Sequence, residues 1–119
     1  MRINDSTKLI GKQWWAEYSK VAECKIKDAI IRNEDKEIVI DYEYENRQIQ
    51  VKLNSDDGVH FIGKYGTIKK IIGSCEFTLY KNAEGYFLFG GYSSSEEGSG
   101  ICWVQLTKYA DKIENEYLF

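Results

Sequence analysis

The residues of this chain that could carry out chemistry are few and lie far apart in sequence. His60 is the single histidine, and it alternates out of phase with Phe61 and Tyr65, which places it on the opposite face of the same strand. A general base or metal ligand needs partner groups around it, and no second histidine exists to complete such a site. We therefore interpret His60 as a surface or hydrogen-bonded residue.

The cysteines, Cys24, Cys75 and Cys102, are odd in number and form no CxxC pair. A tetrahedral zinc site built from them would need carboxylates or a second subunit. A nucleophilic thiol needs a nearby base or positive charge, and neither Cys75 nor Cys102 has one next to it in sequence. We predict free, buried thiols in a reducing compartment, with no metal and no cofactor.

Three carboxylates, Asp41, Glu43 and Glu45, alternate along one predicted strand face. Paired carboxylates can do acid–base chemistry, but a spacing of two on an exposed face is more typical of a solvated edge. Alternatively, they form an acidic patch for a basic protein partner. Further carboxylates lie in the neighbouring loops, at Glu34, Asp35, Asp56 and Asp57.

Charge and length limit the classes of partner. The chain has 119 residues and a net charge of −3, so one domain over 1–119 is expected, and nucleic acid is a poor partner because no basic surface is available for phosphates. The first residues lack the apolar core of a signal peptide, and no apolar run is long enough to span a bilayer. We expect a cytoplasmic protein that does not bind membranes.

Apolar and polar residues alternate with period two along most of the chain, which is typical of half-buried β-strands. The best-defined pair is Glu37 to Glu45 and Arg47 to Asn54, joined by a tight turn at Glu45-Asn46. The segment from Cys24 to Arg32 fits either a strand or a short helix, and the β-branched isoleucines in it favour the strand. Further strands are predicted at Gln13–Ser19, Val59–Tyr65, Ser74–Lys81, Tyr86–Tyr92 and Ile101–Lys108.

This pattern predicts an all-β fold. No helix is long enough for a βαβ crossover, so we expect an antiparallel meander that closes into a barrel of roughly eight strands. The tail from Tyr109 to Phe119 predicts a short helical segment after the last strand. The polar loop from Ser93 to Gly100 predicts either a lid over the barrel mouth or a mobile hairpin tip.

Four segments resemble the strands of avidin and lipocalin-type proteins, the calycin-like barrels. They are Leu9-Ile-Gly-Lys-Gln-Trp-Trp-Ala-Glu-Tyr18, Asp57-Gly-Val-His-Phe-Ile-Gly-Lys-Tyr65, Tyr86-Phe-Leu-Phe-Gly-Gly-Tyr92 and Gly100-Ile-Cys-Trp-Val-Gln-Leu106. In the family a Gly precedes a Trp that plugs the barrel floor, and Trp14 stands one residue further from Gly11 than that pattern has it. The resemblance implies a calycin-like barrel with a ligand at its mouth, without the polar residues that hold biotin.

Aromatic residues make up 14% of the chain, and their phases allow many of them to face the barrel interior. They either fill the core or line a pocket, since an eight-stranded barrel is just wide enough for either arrangement. The ligand-binding candidates are Trp14, Tyr18, Tyr42, Phe61, Tyr65, Phe77, Tyr92 and Trp103.

These observations order three functional hypotheses. The first is a non-enzymatic binding protein that holds a small organic ligand at the mouth of the barrel. The second is a small acidic interaction module, of the immunity or inhibitor type, that masks a basic protein partner through Asp41, Glu43 and Glu45. An enzyme comes last, because no acid–base–nucleophile set can be assembled. Strands 86–92 and 101–107 are apolar on both faces, which would suit a homodimer.

Overall fold

The structure is a computed structural model that describes residues 6–17, 19–83 and 85–107, and eight β-strands make up the regular structure of this part of the chain. The predicted helical tail from Tyr109 to Phe119 lies outside the described residues. Within them, no helix is long and apolar enough to cross a membrane. The strands are β1 Ser6–Glu17, β2 Lys20–Arg32, β3 Glu37–Tyr44, β4 Arg47–Asn54, β5 His60–Gly66, β6 Ile71–Lys81, β7 Gly85–Ser94 and β8 Gly98–Thr107.

Each strand pairs antiparallel with the next, and β8 pairs with β1, so the sheet closes into a barrel. The predicted all-β antiparallel meander and its closure into an eight-stranded barrel are confirmed. The ambiguous segment from Cys24 to Arg32 is part of a strand, as its β-branched residues favoured. The strand β1 begins seven residues earlier than the sequence predicted.

The turn between β3 and β4 is the one that the sequence predicted. Glu45 and Asn46 have φ angles of 52° and 63°, and Tyr44 lies opposite Arg47. Positive φ at both central residues is typical of a two-residue hairpin turn whose twist matches that of the strands. Glu45 is therefore a turn residue, and β3 ends one residue before it.

The predicted loop from Ser93 to Gly100 is shorter than expected, because β7 and β8 extend into it and leave a turn at 95–97. The hydroxyl of Ser94 donates a hydrogen bond to the carbonyl of Ile72 at 2.8 Å and accepts from the backbone N–H groups of Glu96 and Glu97. This local hydrogen bonding makes the turn tight. The segment is thus the tip of a hairpin, one of the two alternatives that the sequence left open, and a role as a lid over the mouth stays a prediction.

The two ends of the barrel are packed differently. The packed end is the one bounded by the turns that follow β2, β4 and β6, and its inward side chains are almost completely buried. These include Leu9, Ile31, Ile38, Leu53, Phe61, Leu88 and Leu106. The open end is bounded by the turns that follow β1, β3, β5 and β7, and larger, partly buried aromatic side chains face inward there. The packed end supplies the hydrophobic core, and the open end has room for something else.

Gly90 provides a test of the strand packing in β7. A Cβ atom added at Gly90 would lie 1.8 Å from the carbonyl oxygen of Glu76, whereas one added at Gly91 would lie 3.0 Å from the carbonyl of Gly100. We expect Gly90→Ala to lower the free energy of unfolding by about 3 kcal/mol and Gly91→Ala by clearly less. Urea denaturation measures both, and equal losses would contradict the close approach of β6 and β7.

Candidate functional site

A cavity of about 290 Å³ occupies the interior of the open end. This volume lies near the lower limit of known small-molecule sites, which are about 300–1,000 Å³. Six of the 14 described residues in its wall are aromatic, and every strand except β2 contributes to the wall. The aromatic lining residues are Trp15, Tyr42, Tyr44, Tyr65, Phe77 and Tyr92.

Half of the aromatic residues predicted from the sequence to bind a ligand lie in this wall. Tyr42, Tyr65, Phe77 and Tyr92 line the cavity, as their strand phases indicated. Their role in binding a ligand stays a prediction. Phe61 also points inward, but it is fully buried in the packed end and fills the core.

Two others, Trp14 and Trp103, were assigned to the interior, and this assignment is wrong. They lie opposite each other on β1 and β8, on the outer face of the barrel, and their rings stack with centroids 6.2 Å apart. The side chain that enters the barrel from this part of β1 is Trp15. The calycin resemblance, which would put Trp14 in the barrel floor, fails at the same residue. Tyr18, the remaining candidate, lies outside the described residues.

An outer aromatic row continues from these two tryptophans across the barrel surface. Trp103 stacks on Phe89, Phe89 on Phe87, and Phe87 contacts Tyr80, with ring centroids 6.5 Å apart in each pair. The two phenylalanines and Tyr80 are 36–57% exposed. The row explains why β7 and β8 look apolar on both faces. Dimerisation through it stays a prediction.

Sequence reasoning missed several residues of the cavity, and the reason differs between them. Tyr44 has the same phase as Tyr42, so simple alternation could have found it. Gln13 and Trp15 were missed because Gln13 is polar. The face of β1 that carries Trp14 and Ala16 looks more apolar in the sequence, so the pattern predicts that this face points inward. Arg47 and Glu97 reach the cavity from two different turns, and no local pattern links them.

Side chains from opposite sides of the barrel meet at the mouth of the cavity. Arg47 and Glu97 form a salt bridge at 3.3 Å, and the hydroxyl of Tyr65 donates a weak hydrogen bond to Glu97 at 3.4 Å. Beside them, Lys70 pairs with Glu96 at 2.7 Å. These pairs are more than a third exposed, so each contributes little stability. Their effect is to tie the turns of the open end together.

Below the charged residues at the mouth, the described titratable groups of the cavity wall are neutral near pH 7. Burial raises the pKa values of the phenols of Tyr42 and Tyr65 above their usual range. Burial also raises the pKa of Cys75 to about 12, with a smaller contribution from Cys102, and it raises the pKa of Cys102 itself to about 12. All four groups are therefore protonated and neutral at pH 7.

Gln13 is a polar residue in an otherwise largely apolar wall. It is 7% exposed, and its amide nitrogen Nε2 has no hydrogen-bond acceptor among the described residues. Cys24 lies opposite it on β2, and the Gln13 amide lowers the pKa of that thiol, although burial raises it more. The sulfur is a weak acceptor, so it leaves the hydrogen-bonding capacity of the amide largely unused.

A second, larger depression of about 1300 Å³ lies over β4 to β8 on the outside of the barrel. Ile62, Ile68 and Ile71 line it, and they are 66%, 100% and 64% exposed. Side chains that stand so far in solvent do not enclose a ligand. The interior cavity is therefore the better candidate site, although it is smaller.

The remaining candidate residues lie away from the cavity interior. Asp41 and Glu43 are on the outer face of β3, where they accept hydrogen bonds from Gln50 and Gln48 at 2.8 and 3.4 Å. Glu45, by contrast, lies in the turn beside the cavity mouth. The three therefore do not share one strand face.

His60 and the cysteines agree with the sequence interpretation. The ring of His60 is exposed, and its Nδ1 lies 2.9 Å from the carboxylate of Asp57. Cys24, Cys75 and Cys102 are all free thiols; the first two are buried, and Cys102 is partly buried.

Comparison with known proteins gives a fold and no family. No protein-family model and no curated protein matches the chain. Among solved structures, it is similar to a double mutant of the vaccine antigen transferrin binding protein B from Haemophilus parasuis Hp5, with a TM-score of 0.54 and 14% identity. The match covers 91% of this chain and 26% of that chain, so this chain spans about a quarter of the other protein. At this identity, the similarity shows the barrel fold alone.

The buried thiols predict how stability depends on pH. Cys75 and Cys102 have folded-state pKa values of about 12, against a usual value of about 8.5 in an unfolded chain. Between these values the unfolded chain releases protons that the folded chain retains, so stability is full below pH ~8.5 and falls as the pH rises toward 12. Urea denaturation from pH 7 to 10.5 should show this fall.

The double variant Cys75→Ala/Cys102→Ala is the control for this prediction. The substitutions change the absolute stability, but only the loss of the two thiols changes its slope with pH. We expect a shallower decline, with the remainder coming from the Cys24 thiol and, above pH ~10, from the buried phenols. Parallel slopes for the wild type and the variant would contradict the burial of the thiols.

Proposed function

We propose that this protein is a non-enzymatic binding protein that holds a small organic ligand in the cavity at the open end of its barrel. The observation that carries the proposal is the cavity of about 290 Å³ in a barrel whose other end is filled. Protein interiors are normally packed with few voids larger than a water molecule, so an open volume of this size is unusual and favours a binding site.

The composition of the wall supports binding. Aromatic side chains offer large apolar contact areas, and Trp15 and Tyr44 are already in an edge-to-face arrangement at 4.9 Å. A largely apolar wall with a few polar groups is the usual composition of small-molecule sites. Such a wall suits a compact molecule with at least one ring.

The ionisable groups of the cavity favour binding over turnover. The phenols and thiols have raised pKa values, so none of them is a ready general base or nucleophile at neutral pH. Arg47 and Glu97 neutralise each other at the mouth. The cavity can therefore hold a ligand through its shape and its contact area, but its described residues offer no group for proton transfer.

Binding of a basic protein, as an immunity or inhibitor protein would do, is the second candidate. One observation favours it: Asp28 on β2 lies opposite Asp41, which adds a carboxylate to the outer face next to Glu43. The amides of Gln48 and Gln50 contact these carboxylates and dilute the acidic surface with neutral groups. The similar solved protein is named for binding transferrin, but fold similarity at 14% identity assigns no partner to this chain.

The second candidate has its own test. We expect the triple variant Asp41→Asn/Glu43→Gln/Glu45→Gln to lose salt-sensitive partners in a pull-down if the acidic face binds a basic protein, because charge pairs at a rim act mainly on association. The control is Asp56→Asn, which removes a carboxylate from the loop at the packed end. Unchanged partners in the triple variant would exclude this function for the acidic face.

The ligand-binding proposal predicts that filling the cavity abolishes binding. Ile49 points into the cavity, and Ile49→Phe would occupy part of its volume. Indole is the probe, and titration followed by backbone amide shifts in two-dimensional NMR should perturb Trp15, Tyr65 and Tyr92 in the wild type. In Ile49→Phe we expect at least about a tenfold loss of affinity, since a filled site excludes the ring.

The control adds the same ring to the outside of the barrel. Ile62→Phe places a phenylalanine in the outer depression, where Ile62 is already 66% exposed. We expect it to bind indole as the wild type does. Loss of binding in Ile62→Phe with binding retained in Ile49→Phe would place the site outside the barrel and overturn the proposal.

A further inference from the structure

We infer that the cavity selects uncharged ligands carrying a hydrogen-bond acceptor, such as a carbonyl group, and that the side-chain amide of Gln13 is the group that binds this acceptor. The inference rests on the proposed function, because it names the ligand class of the same cavity. The observations that support it are the position of Gln13 and its unused donor capacity. The proposed function needs neither, because a cavity can bind a ligand without Gln13.

The position of Gln13 is fixed by strand pairing on both sides. It lies opposite Cys24 of β2 and Val104 of β8, and both of these side chains are buried inside the barrel. The Gln13 side chain is therefore directed inward, and it forms part of the cavity wall. A residue held between two paired strands presents its amide in a defined place, as a specific contact needs.

The donor capacity of Gln13 is largely unused by its neighbours. Its Nε2 atom has no acceptor within the described part of the chain, and burial without a hydrogen bond is unfavourable for an amide. The nearby thiol of Cys24 points its own hydrogen at the carbonyl of Glu43, 3.3 Å away. Sulfur is in any case a weak acceptor. A ligand carbonyl would supply the missing acceptor.

Two of the tyrosine hydroxyls in the same wall are directed elsewhere. The hydroxyl of Tyr92 donates to the backbone carbonyl of Ala16 at 2.9 Å, and that of Tyr65 is directed to Glu97 at the mouth. These two donors are engaged with the protein. The amide of Gln13 is thus a buried donor of the wall with capacity for a ligand.

The described residues of the cavity interior are neutral, and this sets the second part of the ligand class. Trp15, Tyr42, Phe77 and the two thiols carry no charge. The charged residues of the lining lie at the mouth, where Arg47 is paired with Glu97 and Glu45 adds a second carboxylate. A carboxylate ligand would lose its hydration on entry without gaining a free cation. The cavity should therefore discriminate against carboxylates of the same shape.

Three probes of nearly equal size separate these possibilities. Acetophenone carries a neutral carbonyl acceptor, cumene has a methyl group in place of the carbonyl oxygen and so matches it in heavy atoms but not in planarity, and benzoate carries a charged carboxylate. Isothermal titration of the full chain at pH 7 should show acetophenone binding at least about fivefold more tightly than cumene. Benzoate should bind at least about tenfold more weakly than acetophenone.

The variant Gln13→Met tests the assigned residue. Methionine keeps the length and apolar stem of glutamine but has no N–H donor, so acetophenone and cumene should bind this variant with equal affinity. Gln105→Met is the matched control, because Gln105 is an exposed glutamine on the outer face of β8. In this control the preference for acetophenone should be retained in full.

The outcomes separate the two proposals. If neither indole nor any of the three probes binds the wild type, the proposed function itself fails. If indole binds and none of the three probes does, only the inference about Gln13 is overturned. If cumene binds the wild type as tightly as acetophenone, the cavity binds ligands but the role of Gln13 is overturned, and this holds even when Gln13→Met does not fold. A preference for benzoate would identify Arg47 as the anchor and would also overturn the inference.

Discussion

The phase of β1 is the constraint on which the site depends. A residue in a β-strand faces either the interior or the exterior, and a shift of one residue exchanges the two faces completely. In β1 this alternation runs unbroken, so that Leu9 faces the core below and Gln13 and Trp15 face the cavity above it. The irregularity of this strand pair lies in β2, where the segment from Ile26 to Ala29 has one residue more than the segment from Leu9 to Gly11 opposite it. A shift of β1 by one residue would turn Trp14 inward, so the polar group of the cavity and its largest ring both depend on this register.

The fold could be predicted from the sequence further than the site could. The pair β3 and β4 has strict alternation and a two-residue turn, and both its bounds and its phase were predictable. The strands β7 and β8 carry apolar residues on both faces, so alternation indicates a strand but leaves the inward face of Trp103 undecided. In β1 the inward face carries the polar Gln13 and the outer face carries Trp14, so hydrophobicity alone favours the wrong phase. In β2 the extra residue between Ile26 and Ala29 breaks the period of two, which a strict alternation pattern cannot represent. The pairing of Arg47 with Glu97 depends on closure of the whole barrel, which local sequence does not encode.

The barrel separates stability from binding along its axis. Aliphatic residues and Phe61 fill the packed end to near-complete burial, and the packed end is therefore where most of the hydrophobic stabilisation arises. At the open end, aromatic side chains keep a volume open, and the turns above it are joined by exposed ion pairs that add little stability. Elements of low local stability are those that can move to admit a ligand. Substitutions in the open-end wall are therefore tolerated better by the fold than equal changes around Phe61.

The distribution of the tryptophans gives the protein two separate optical reporters. Trp14 and Trp103 are stacked on the outside, so their indole transitions couple and contribute a paired band to the circular dichroism of the folded chain. Trp15 belongs to the interior, beside Tyr42 and Tyr44, and its emission follows the polarity of the cavity. Unfolding abolishes the exciton band, whereas occupation of the barrel changes the emission of Trp15 and leaves that band intact. One sample can therefore report folding and occupancy as independent signals without any added label.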